Sequence, residues 1–194
     1  MQKILIFVAL LVAGIATRAQ GPRTLIGDFS SVSGFGGFMS SIQPVAGNYT
    51  VLTGGGGAVL LGNQFYFGGY GLGLSDDIVT EFDGTQYEVE YGHGGFMLGY
   101  IIRPFDLIHF GISSKLGWGG IEFYEELPSD EVFRSEDNVF VVHPQVEAEV
   151  NFTRWFKVNV GVGYSKAIGV DNIFYDSSDF DGTAVGVSLL FGWF

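Results

Sequence analysis

Residues 140–165 read FVVHPQVEAEVNFTRWFKVNVGVGYS. The even positions Phe140, Val142, Val146, Ala148, Val150 and Phe152 are apolar, and after a short turn so are Phe156, Val158, Val160, Val162 and Tyr164. The odd positions carry His143, Gln145, Glu147, Glu149 and Asn151, then Lys157, Asn159, Gly161, Gly163 and Ser165. A period of two means strand, because successive side chains of a strand point to opposite faces. Two such runs joined at 151–154 make a hairpin. Each run has about ten residues, the length of a tilted strand that crosses a bilayer.

The same period recurs on either side. In 107–118, Ile108, Phe110, Ile112, Leu116 and Trp118 face one way, and His109, Gly111, Ser113, Lys115 and Gly117 the other. In 49–61, Tyr49, Val51, Thr53, Val59 and Leu61 share the parity expected to face outward. Further strands are expected at 32–42, 65–74 and 183–194. In 86–101, Tyr87, Val89 and Tyr91 lie on one parity but Phe96, Leu98 and Tyr100 on the other. That phase change predicts a β-bulge near His93, Gly94 and Gly95, or else a lumen side that switches between two aromatic bands. The count is eight, and an even number of strands closes an antiparallel barrel.

The connections alternate in length. Residues 41–47 form a medium connection, and Gly62–Asn63, 103–106 and 151–154 are short. Residues 75–85, 119–138 and 167–181 are long, and they hold 15 of the 21 acidic residues; 119–138, with Ile121, Phe123, Tyr124, Leu127, Val132 and Phe133 among its acids, is expected either to extend the barrel strands or to form a contact surface. The alternation puts both termini and the short turns at one end and the long acidic loops at the other. In a bacterial outer-membrane barrel those ends are periplasmic and extracellular respectively.

Composition narrows the function classes. Residues 3–18 run from Lys3 through ILIFVALLVAGIA to Arg18, a basic start, an apolar core and a small-residue exit. This is the pattern of a secretory signal peptide, 1–19, cleaved between Ala19 and Gln20. Residues 20–30 are expected to be a short leader and 31–194 the barrel domain. The chain has no cysteine, so no disulfide stabilises it. Its formal charge of −12 becomes −14 once Lys3 and Arg18 are removed, which excludes nucleic acid as a partner. Glycine reaches 31 residues, and in a narrow barrel it lets walls curve and close without crowding.

Alternation alone does not say which face is wet, since a soluble lipid-carrying barrel has apolar residues inside. Three features favour lipid outside. The polar parity carries charges of both signs, Lys115, Glu147, Glu149 and Lys157, suited to pairing across a narrow lumen. Aromatic residues gather near strand ends, as at Tyr100, Trp118, Phe140, Phe152, Phe156 and Tyr164, the positions of headgroup girdles. The chain stops in LLFGWF on an apolar strand, and an open sheet edge cannot sit in hydrocarbon, so this strand must pair with the first.

With this architecture and its Gly-rich runs GFGGFM, LTGGGGAVLL and FYFGGYGLGL, the chain resembles small eight-stranded outer-membrane β-barrel proteins of Gram-negative bacteria. It is similar to the class of the OmpA membrane domain and to small outer-membrane barrels of the Bacteroidetes. The resemblance implies an all-β, up-and-down, antiparallel transmembrane barrel in the cell outer membrane. It implies outer-membrane lipid and lipopolysaccharide as surroundings, a monomeric state, and assembly by the barrel-assembly machinery, whose recognition signal ends in a terminal Phe. Phe194 matches that signal. Counting back, Gly192, Leu190, Ser188 and Gly186 depart from its alternate large residues, while Trp193, Phe191, Leu189, Val187 and Val185 occupy the other parity and are expected to face lipid.

The candidate functional residues are few. Lys115, His143, Glu147, Glu149 and Lys157 are expected to form a lumenal charge network that is structural, because eight strands enclose little more than side chains and buried charges must be paired. The alternative is a proton or ion path. His93, His109 and His143 share no zinc-ligand spacing. Lipid-modifying barrels place a His and a Ser close together on one strand; here the pair is His109 and Ser113, four positions apart. Asp176, Asp179 and Asp181 offer oxygens to a cation without EF-hand spacing. No cofactor is expected. The leading function is a structural or surface-interacting outer-membrane barrel. A narrow pore for small solutes, a periplasmic lipid-binding barrel and a lipid-modifying enzyme are the alternatives.

Overall fold

The computed structural model describes residues 31–76, 78–82, 85–126, 132–171 and 175–194. The expected signal peptide and leader lie outside the described residues. The strands are β1 (Val32–Val45), β2 (Asn48–Leu61), β3 (Phe65–Leu74), β4 (Ile78–Phe82), β5 (Thr85–Ile102), β6 (Ile108–Glu126), β7 (Val132–Asn151), β8 (Phe156–Ile168) and β9 (Gly182–Trp193), with a 3-10 turn at Ser177–Phe180. Every pairing is antiparallel. β1 pairs with both β2 and β9, and β3 pairs with β5, so the sheet closes on itself. β4 pairs with the outer part of β5 and continues the line of β3. The closed wall therefore has eight staves.

The expected loop at 41–47 is strand. β1 runs through Pro44 to Val45, and the turn is only Ala46 and Gly47, at φ 53° and 73°. Positive φ at both central residues matches the twist of the flanking strands. Val45 and Asn48 flank this turn as a pair and exchange the hydrogen bonds, so the Pro44 nitrogen points away from β2. The β1–β9 ladder ends at Ile42 and Val185. No ladder bond is lost to the missing N–H, which is why proline is tolerated there.

Two more expected loops are ladder. Residues 119–126 and 132–138 continue β6 and β7 as a hairpin, from Gly119 opposite Val139 to Glu126 opposite Val132. Within 75–85, Ile78–Phe82 pairs with Thr85–Val89. β4 and the outer parts of β5, β6 and β7 thus form a four-stranded sheet standing beyond the rest of the rim. Among the described residues of 169–181, the pairing is a single bridge between Asp171 and Asp176.

The expected bulge at His93, Gly94 and Gly95 does not exist. β5 pairs without interruption with β6 from Glu88 to Ile102, and its odd residues point inward throughout. Val89, Tyr91, His93, Met97 and Ile101 are buried, and Phe96 is exposed on the outer wall. Hydropathy changes parity while geometry does not. Beyond Gly92, Gly119 and Gly120 the outer face becomes polar, with Glu88, Glu90 and Glu122, and the inner face becomes apolar, with Val89, Ile121 and Phe123. One continuous strand thus carries an apolar outer face for part of its length and a polar one for the rest.

The outer wall of the lower part is apolar all round. Phe38, Val59, Phe67, Phe96, Phe110, Ile112, Val146, Val160, Val162, Val187 and Phe191 are exposed on it. Trp155, Phe156 and Phe191 stack near the short-turn end, and Phe96, Trp118 and Phe140 form a chain of ring contacts near the other. From Ile108 to Trp118 the rise is about 33 Å along the strand, or about 25 Å at a tilt of about 40°, the height of the apolar band in such barrels.

Candidate functional site

The lumen is built in three storeys. At the short-turn end, an open vestibule of about 470 Å³ is lined by Leu60, Asn63, Phe105, Arg154, Lys157 and Phe194, among others. The Phe194 ring stacks on Phe35 with centroids 5.9 Å apart, and Lys157 Nζ lies 4.1 Å from its centroid. The terminal residue thus closes the lower lumen rather than facing outward, while Trp193 is exposed on the outer wall.

Above it lies the charged storey. Lys157 Nζ donates to Glu149 Oε1 at 2.8 Å, and His109 Nε2 lies 2.8 Å from the same oxygen. The other ring nitrogen of His109 faces the Asp106 carbonyl at 3.1 Å. Glu147 accepts from Ser113 Oγ at 2.7 Å, from Tyr66 Oη at 3.2 Å and from the Gln145 amide. Lys115 Nζ donates to Gln145 Oε1 at 3.0 Å. The two acids therefore have different partners. Glu149 sits in an ion pair with Lys157, whereas Glu147 reaches Lys115 through Gln145. Taking charges out of water is expensive unless they are paired or hydrogen-bonded; Glu149 and Lys157 have both, while Glu147 and Lys115 are held by hydrogen bonds to neutral groups.

His143 stands directly across the β6–β7 ladder from Lys115 and is buried, with neither ring nitrogen hydrogen-bonded. His93 lies 3.0 Å from Tyr70 Oη through Nδ1. His109 and Ser113 both face the buried lumen, each committed to a different glutamate.

Tyrosines fill what the charges leave. Tyr66 and Tyr70 point into the lumen from β3 and lie over glycines of the next two staves, Gly99 on the neighbouring β5 and Gly117 on β6. A Cβ on Gly99 would meet the Tyr66 ring at 2.4 Å, and one on Gly117 would meet Tyr70 Oη at 2.3 Å. These two glycines are sockets, required by close approach rather than by backbone angle. Tyr66, Tyr70 and Leu72 share one parity of β3; that Tyr66 meets Gly99 one stave away and Tyr70 meets Gly117 two staves away was not readable without the register. The voids left inside measure about 30 and 10 Å³, space for a water or two at roughly 10–15 Å³ each.

The upper storey is apolar. Ile121, Phe123, Val139 and Val141 from the wall meet Phe180 from the connection 169–181, all nearly inaccessible. Phe180 packs on Tyr91 at 5.5 Å and on Tyr175 at 6.1 Å. Its turn is held by a capping box, with Asp176 accepting from the Ser178 N–H at 2.7 Å and Asp179 from the Asp176 N–H at 3.0 Å. Asp181 accepts from the Ala167 N–H at 2.8 Å and bonds Lys166. The three aspartates considered for a cation are thus spent on capping and anchoring. Among the described residues, no group of three or more His, Asp or Glu is placed to hold a metal ion. The Ser178 hydrogen bonds hold the Asp176 carboxyl below the usual carboxylate range, and the bond to Asp181 holds the Lys166 ammonium above its ordinary value.

No family model matches the chain, and no curated protein matches it. Among solved structures, the chain is similar to the N-terminal β-barrel domain of Pseudomonas aeruginosa OprF. The TM-score is 0.50 at 13% identity, over 84% of this chain and 97% of that one. The chain has the eight-stranded barrel fold of that domain. Weaker likenesses are to Ail, the attachment invasion locus protein of Yersinia pestis, alone (TM-score 0.44, 12% identity, 83% of this chain and 95% of that) and in complex with the heparin analogue sucrose octasulfate (0.46, 12%, 83% and 95%). At these identities the likeness is one of fold.

Proposed function

We propose that this chain is a monomeric integral barrel of the cell outer membrane whose role is structural or surface-interacting, with a lumen that does not conduct. In this reading the apolar belt faces lipid and lipopolysaccharide, the short turns face the periplasm, and the acidic sheet beyond the rim faces outside. The observation that carries it is the inversion along β5 and β6: apolar-out below Gly92 and Gly119, polar-out and apolar-in above. A lipid carrier would line its interior with apolar residues along the whole height, and here the middle storey holds Glu147, Glu149 and Lys157 instead.

The closed lumen weighs against the pore. Interior voids of about 30 and 10 Å³ are divided by side chains that line both, Met39, Lys115, Gln145 and Asn159, and the apolar storey with Phe123 and Phe180 is packed above them. A lipid-modifying enzyme would present its His and Ser at the lipid-facing rim, and His109 is sealed in the lumen beside Glu149. Planar-bilayer recording together with membrane fractionation tests the proposal. Outer-membrane recovery with a silent bilayer is the expected result. Sustained channel events would replace it with the pore, and recovery as a detergent-free soluble protein would replace it with the carrier.

A further inference from the structure

We propose that the open edge of β4 is a docking site for an extended, basic segment of a partner protein, which adds a strand to the wall. The inference rests on the surface-interaction reading above and names the partner's chemistry.

Among the described strands, β4 has one neighbour. Its residues pair with Thr85–Val89 of β5, and on the other side the β2–β3 ladder ends at Leu52 and Leu74. No described strand lies along the second edge of Ile78–Phe82. Phe82 and Thr85 face each other across a two-residue connection, and residues flanking such a connection exchange hydrogen bonds. By alternation, Thr80 with Tyr87 and Ile78 with Val89 do the same. The N–H and C=O groups of Val79 and Glu81 therefore point to the open edge, two donors and two acceptors in a row.

Natural proteins blunt such edges with proline, lysine or a bulge. The sequence here is Ile-Val-Thr-Glu-Phe, and Val79 is 59% exposed. Strand addition takes affinity from the main chain and specificity from alternate side chains. Charge selects the occupant. Asp76, Glu81, Glu88 and Glu90 are exposed around this edge. A second copy of β4 would bring Glu81 toward Glu81's own acidic surroundings, so self-pairing is disfavoured, and a strand with Lys or Arg at alternate positions is favoured. Where the wall breaks between β3 and β4, an open cleft of about 450 Å³ lined by Asp76, Glu88, Glu90 and Glu122 receives a long basic side chain.

The test uses the full chain refolded in detergent micelles and a fluorescent octapeptide of alternating lysine and valine, with a glutamate-for-lysine counterpart as control. The lysine peptide should bind with an affinity that falls as salt rises, and should slow hydrogen exchange at the Val79 and Glu81 amides. Val79→Pro removes a free-edge N–H without touching the β4–β5 bonds. It should weaken binding by about tenfold or more, the loss of a hydrogen bond or two. Glu81→Lys leaves the backbone intact and should weaken binding of the lysine peptide while improving that of the control. No binding of the lysine peptide, or binding unchanged in both variants, overturns the proposal. Labelling of Val79→Cys on intact cells separates the two readings. If the thiol is labelled from outside while the peptide fails to bind, the docking edge is wrong; if it is not labelled, the outward orientation is wrong.

Discussion

Glu149 and Lys157 meet at 2.8 Å across the β7–β8 hairpin with less than a tenth of either side chain exposed. Removing one partner of a buried pair strands the other charge, at a cost of about 3 kcal/mol or more. Lys157→Met should therefore destabilise the barrel by about that amount in urea unfolding from micelles. The double variant Glu149→Leu with Lys157→Met should lose much less, because both charges go together. A single variant as stable as the parent would mean the pair is not desolvated.

The sockets predict a size rule. Gly99→Val should cost about 1–3 kcal/mol by displacing the Tyr66 ring, read as a lower urea midpoint at unchanged slope. Adding Tyr66→Ala to Gly99→Val should restore part of the loss, since the new side chain fills the space the ring leaves. Tyr66→Phe keeps the ring and removes its hydrogen bond to Glu147, and should cost about 1 kcal/mol. If Gly99→Val proved neutral, the seating of Tyr66 would be wrong.

The connection 169–181 should loosen at both pH extremes. The lowered Asp176 carboxyl contributes stability above the ordinary aspartate value, about 3.9, and that contribution is lost as pH falls through its folded value. The raised Lys166 ammonium contributes below the ordinary lysine value, about 10.4, and its contribution is lost as pH rises through its folded value. Both groups are solvent-exposed, so the effects are small. Amide exchange at Val170 and Phe180 should be slowest between these limits, and Asp181→Asn should remove the alkaline limb alone.

All three tryptophans lie exposed on the outer wall. In bilayers with brominated acyl chains, the fluorescence of Trp118, Trp155 and Trp193 should be quenched, while in an aqueous barrel it would be unaffected. Single-tryptophan variants should place Trp118 near one interface and Trp155 near the other, the two girdles of the band. Strong quenching by aqueous iodide instead would remove the lipid-facing assignment.

How much was legible in the sequence follows from where the environment is uniform. Between Ile108 and Trp118, or Phe156 and Tyr164, a strand has lipid-like apolar wall on one side and charged lumen on the other, so parity reads directly as face. Beyond Gly92 and Gly119 the hydropathy of both faces swaps, and the same rule left a continuous strand as either a bulge or a switch of lumen side. The ladder within 75–85 was read as loop because its acids obscure a β pattern that pairing enforces, while for 119–138 an extension of the strands was one of two readings and is the one the pairing shows. Pro44 hid the end of β1, since the absence of a β9 neighbour there is visible only in the register. Lys115, Glu147, Glu149 and Lys157 were legible as inward groups, and so were Gln145 and Ser113 on the same parity; how Gln145, Ser113 and Tyr66 divide the two acids between separate partners was not, because their meeting depends on the stagger between staves.

The absence of any bulge in β5 and β6 has a mechanical consequence. These strands pass from the charged storey through the belt and into the protruding sheet without a hinge, paired residue by residue throughout. A pull on the tip of the hairpin is then carried along the strand axes and shared as shear by the whole row of ladder bonds, with no soft joint to yield first. The outer sheet and the wall below it would bear tension as a single rigid beam.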